Sequence, residues 1–81
     1  MNNFFKYIEK GLSGEIDFFK FSIDLEHYLV DHYEEMCSEN KEATLYLNDI
    51  LPEETEKIEP GMNPSNFYEQ VKKIVEKSKT L

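Results

Sequence analysis

From Asp17 to Cys37 the chain reads DFFKFSIDLEHYLVDHYEEMC, with neither glycine nor proline. At helical spacing Phe18, Phe21, Leu25, Leu29, His32 and Met36 fall on one side, following the 3.6-residue turn. Asp24, Asp31 and Glu35 fall well away from that side, with His27 and Glu34 nearby. Phe19, Ile23, Val30 and Cys37 make a second apolar band beside the first. So wide an apolar arc predicts a helix packed on two sides, the central member of a bundle. One strong amphipathic helix therefore sets the fold class.

The flanking segments supply its partners. Phe4 and Ile8, with Phe5 and Leu12 beside them, predict a first helix over about Asn3 to Lys10. Gly11 and Gly14 bracket Gly-Leu-Ser-Gly, which reads as a helix stop and turn. Asp17, or Ser13 upstream, can accept backbone N–H bonds and start the second helix, which is expected to end near Ser38-Glu39-Asn40.

Residues 42–51 fit two periods. As a helix, Ala43, Tyr46, Leu47 and Ile50 share a side; as a strand, Ala43, Leu45 and Leu47 alternate. A lone strand would leave its backbone groups unsatisfied, which favours the helix over the strand. Pro52 suits the first turn of a separate short helix over 52–58, with Glu53 and Glu54 at its positive amino end. Asn63 and Pro64 form a cap and first position for a last helix, whose side is traced by Phe67, Val71, Ile74, Val75 and Ser78. The expectation is an all-α fold: one domain over residues 1–81, a small four-helix bundle with an extra helical turn near 52–58.

Composition then narrows function. Eighty-one residues make one small domain, and 14% aromatic content supplies enough buried area for a core. The single cysteine, Cys37, has no internal disulfide partner, and the amino end lacks the apolar run of a signal peptide. No stretch reaches membrane-spanning length, so a cytoplasmic setting is expected.

The net charge is −8, and every base is lysine. Residues 1–23 are neutral and 60–81 carry +2, whereas 24–59 carry −10, with twelve acids against Lys41 and Lys57. Charge of this sign disfavours direct binding of nucleic acid or anionic membrane, and suits a basic protein partner. Solubility alone would explain an acidic surface, but not the gathering of the whole imbalance in mid-chain.

Chemistry-bearing clusters are sparse. His27 and His32 are five apart, a poor spacing for two ligands on one helix, and Asp31 with His27 makes only a pair. No calcium-loop spacing, glycine-rich phosphate loop or Cys–His pairing is present. No catalytic, cofactor-binding or metal site is expected, and the chain does not read as an enzyme.

What remains is the acidic middle. Asp24, Asp31, Glu34 and Glu35 are expected on the outer side of the second helix. Asp49, Glu53, Glu54, Glu56 and Glu59 crowd the segment after it. If the two elements are neighbours, their acids should form one continuous partner-binding field, interrupted by Tyr28, Tyr33 and Tyr46. Tyrosines among acids suit an interface, because they bury area and keep a hydroxyl available.

A short lead helix, then GEIDFFKF opening an acidic aromatic helix, then LNDILPEE, then a lysine-tipped last helix, resembles the small acidic immunity proteins of bacterial toxin systems. These include proteins that neutralise colicin D-type and contact-dependent-inhibition ribonucleases. The resemblance implies a four-helix bundle that covers the toxin's basic active site with carboxylates, in imitation of RNA phosphates. The same electrostatics would also serve another nucleic-acid mimic, such as an anti-CRISPR or anti-restriction protein. A helical adaptor with no inhibitory role is the third class.

Overall fold

Asp17 starts the second helix. Its carboxylate accepts the Lys20 backbone N–H at 3.3 Å, relieving one of the unpaired donors at a helix amino end. The computed structural model describes residues 1–81 and is wholly helical: α1 (Asn2–Leu12), α2 (Phe18–Asp31), α3 (Tyr33–Glu39), α4 (Lys41–Thr55) and α5 (Ser65–Ser78).

The long amphipathic stretch is two helices rather than one. His32 has φ −109° and ψ 13°, outside the helical region, and its N–H bonds the Tyr28 and Val30 carbonyls. The break lets α3 leave the line of α2 and pack on α4, with Met36 joining the core. Phe21, Leu25, Leu29 and Met36 are buried as the spacing predicts. The second apolar band is only partly covered: Phe19 and Cys37 are half-buried, whereas Ile23 is 43% exposed and Val30 75%. The centre of the bundle is instead α4, which touches α2, α3 and α5.

Asn40 caps α4, its side-chain oxygen accepting the Ala43 N–H at 3.1 Å. The helix then runs through Pro52 to Thr55, so 42–51 is helical and 52–58 is not a separate element. A proline inside a helix costs about 3 kcal/mol relative to alanine, because it removes a donor and crowds the carbonyl four residues back. That carbonyl belongs to Asn48, and Asn48 and Pro52 both border an open groove. Ala43, Leu47 and Leu51 point into the core.

Gly61 turns the chain with φ +83°. The last helix begins one residue later than its spacing predicts: Pro64 is the N-cap and has no side-chain bond to offer, while Asn63 accepts the Ser65 N–H at 2.9 Å in the turn before it. Phe67, Val71, Ile74, Val75 and Ser78 of α5 are all buried.

Gly11 does not stop α1, which continues to Leu12. The turn is made by Gly14, whose φ of +86° suits a residue without Cβ. Gly11 has a different task, since a Cβ there would lie 2.3 Å from the Phe21 ring. Phe21 has no solvent exposure and also contacts Tyr7 and Phe67, with ring centroids at 5.7 and 5.9 Å. Gly11→Ala should therefore destabilise the fold by about 1–3 kcal/mol through overpacking, although alanine is the better helix former. Urea unfolding with an unchanged m-value would check this.

Candidate functional site

Of the acids of α2, Asp24 lies towards α1. Asp24 sits close enough to Tyr7 of α1 that its charge adds to burial in pushing the Tyr7 hydroxyl up to about 12. Asp31, two turns on, is exposed, as is Glu34. Glu35 reaches back across the break to the His32 ring nitrogen Nδ1 at 3.4 Å. Burial, and after it the Glu35 charge, pushes the Tyr28 hydroxyl above its ordinary value.

The tyrosines are placed differently from one another. Tyr28 is half-buried, its ring stacked on Tyr7 at 4.5 Å and on His32 at 4.2 Å. Tyr33 is exposed, and hydrogen bonding and charge from the Cys37 side chain one turn on raise it. Tyr46 is half-buried on the flank of α4 that faces α5, under the Lys77 ammonium at 5.4 Å. Of the three, Tyr33 alone stands out among exposed acids.

On α4 the exposed acids are Glu42, Asp49 and Glu53, with Glu56 exposed at its C-cap and Glu59 in the following loop. Spacings of four and three put Asp49, Glu53 and Glu56 on one outer face. Glu54 turns inward, its side chain only 16% exposed and paired with Lys57 at 3.4 Å.

The two elements are adjacent, as the acidic-surface idea requires, but they meet through other residues. Glu26 of α2 accepts a hydrogen bond from the buried Thr55 hydroxyl at the end of α4. At about 100° per residue, Asp24 is about 160° around the helix from Glu26 and Asp31 about 140°. Asp24 and Asp31 thus border one edge of α2's outer face and Glu26 the other. Between them run Ile23 and Val30, the exposed apolar residues of α2. The surface is two banks of carboxylate divided by an apolar strip, not one field interrupted by tyrosines.

Glu26 and Glu42 were not anticipated as surface members. Glu42 lies one heptad before Asp49 and extends the outer acidic face of α4. Glu26 had a visible signal, for it follows Ser22 by four and precedes Leu29 by three, on the edge of the buried side. Lys72, Lys73 and Lys77 belong to α5, Lys79 is its C-cap, and Lys6 and Lys10 belong to α1.

No three His, Cys, Asp or Glu side chains converge as a metal-binding group. No helix is long and apolar enough to cross a membrane. No protein-family model, curated protein or solved structure matches the chain. The arrangement suits electrostatic and apolar recognition of another surface.

The Tyr7 hydroxyl is buried with no hydrogen-bond partner. Removing it leaves no orphaned group, so Tyr7→Phe should be neutral or slightly stabilising at pH 7. Because the folded-state value is raised from 10.0 to about 12, this tyrosine's contribution is intact below pH 10 and is lost as pH rises towards 12. Melting temperatures across that range should fall less steeply for Tyr7→Phe than for the wild type.

Proposed function

We propose that this protein is an immunity-type inhibitor that binds a basic bacterial nuclease toxin domain and shields its active site with carboxylates. The observation that carries this proposal is the charge distribution. Residues 24–59 hold twelve of the chain's seventeen acids, and the folded chain displays most of them on neighbouring helices.

A nuclease needs a positive cleft for the phosphates of its substrate. A rigid helical scaffold presenting carboxylates can satisfy the same cations without offering a bond to cleave. Each element contributes to rigidity. The carboxylate of Glu26 is tethered by Thr55, Glu35 is paired with His32, and α2 is locked to α1 by the Phe4, Tyr7, Phe21 and Tyr28 rings. Complementary charge speeds encounter, and desolvated close pairs slow release. The likeness in layout to immunity proteins of colicin D and contact-dependent-inhibition systems points to a ribonuclease as the partner. Binding, and not catalysis, is the proposed role.

The test begins with co-purification from the native host, followed by an RNA-cleavage assay with the captured toxin domain. Inhibition should be stoichiometric, and affinity should fall as salt rises. Asp31→Lys/Glu35→Lys changes an exposed pair and should leave the fold intact by circular dichroism. It should weaken inhibition by at least about tenfold, since close interfacial charge pairs contribute about 1.5 kcal/mol or more each. Full inhibition by that variant would remove this flank from the interface. Inhibition of a DNA-binding effector, with the ribonuclease untouched, would point to a nucleic-acid mimic instead. Binding with little salt dependence would fit an adaptor.

A further inference from the structure

Between α2 and α4 lies an open groove of about 220 Å³, lined by Glu26, Leu29, Val30, Asn48, Pro52 and Glu56. Its walls are partly apolar. Leu29 closes the base, Pro52 forms the α4 side, and Val30, 75% exposed, stands at the α2 edge.

The polar atoms at this groove are predominantly acceptors. Glu26 is held in place by the Thr55 hydroxyl, which spans the two helices. Glu56 is exposed across the groove from it. Asn48 turns an amide N–H to the Thr44 carbonyl at 2.9 Å, leaving its own side-chain oxygen free. The Asn48 backbone carbonyl has lost its usual donor, because residue 52 is proline. An oriented carboxylate, a second carboxylate and amide oxygens, set between partly apolar walls, complement one kind of side chain. It must be cationic, rich in donors and carried on an aliphatic stem. Arginine fits better than lysine, because its planar fork presents several donors at once and tolerates partial desolvation. The stem would lie on Val30 and Pro52.

We infer that the α2–α4 groove is the docking site for an arginine side chain of the basic protein partner. This rests on the proposed function for the partner's nature, whereas the groove's chemistry stands on its own. The Asp24 and Asp31 flank would then supply long-range attraction, and the groove would supply the fixed contact.

The probe is N-acetyl-arginine amide, titrated into ¹⁵N-labelled protein, with N-acetyl-citrulline amide as the uncharged isostere. Saturable amide shifts should appear at Glu26, Val30, Asn48 and Glu56 with arginine and not with citrulline. They should vanish in Glu26→Gln/Glu56→Gln, which keeps the tie to Thr55 because the glutamine oxygen still accepts. Shifts spread evenly over both acidic banks, or unchanged in that variant, would overturn the site. Sedimentation adds a second check: self-association abolished by the same variant would assign the groove to a lysine of a second copy and overturn the proposal.

The two ideas fail separately. If a nuclease domain is still inhibited equally by the groove variant, the groove inference falls and the inhibitory function stands. If the arginine probe maps to the groove but no nuclease domain is inhibited, the function falls and the site stands.

Discussion

One ring against one hydrogen atom holds the amino-terminal half together. Phe21 is fully buried because Gly11 presents no Cβ where the ring must lie, and Tyr7 and Phe67 close over its other sides. That contact sets how close α1 comes to α2. The approach in turn brings Tyr7 and Phe4 onto Tyr28, and places Asp24 beside the Tyr7 hydroxyl. Any residue larger than glycine would push α1 outward and loosen the aromatic stack on which the acidic flank is mounted. Core packing and surface electrostatics are thus the same construction seen from two sides.

Much of the fold was legible because burial imposes a period. Phe21, Leu25, Leu29 and Met36 are spaced as only a helix face can be, and Phe67, Val71, Ile74 and Val75 likewise; both sets are buried. The Asp17 cap was legible for the same reason, since it carries an acceptor where a backbone donor lacks a partner, whereas Asn40 was read only as the end of the helix before it. The misses have one cause. At His32, Gly11 and Pro52, local preference is outweighed by what lies across the bundle. Nothing in the backbone chemistry of 17–37 demands a break, yet α3 turns at His32 to pack on α4. Glycine permits a helix to end, but Gly11 is there for Phe21. Proline usually opens a helix, but α4 runs through Pro52 to Thr55 because Leu51 and Thr55 are buried on its inner side.

The candidate surface was legible in kind and less so in layout. Composition located the acids between residues 24 and 59, and helical spacing separated them from the core. It could not reveal which flank of α2 meets α4, because that depends on tertiary placement. The answer turned on Glu26, whose bond to Thr55 joins residues 29 positions apart. Tyr28 and Tyr46, read as interface members, are each engaged by a neighbour: one in a stack with Tyr7 and His32, the other beneath Lys77.

The strip of Ile23 and Val30 has a further consequence for how copies of the protein behave towards one another. Two such strips could associate face to face, since each is apolar and exposed. The carboxylates on either side prevent this at neutral pH by keeping like charges opposed. That protection titrates away as pH falls towards the pI near 4.6, where net charge vanishes while the apolar strip is unchanged. Colloidal stability therefore depends on the same acids as recognition, and mutations that neutralise them act on both.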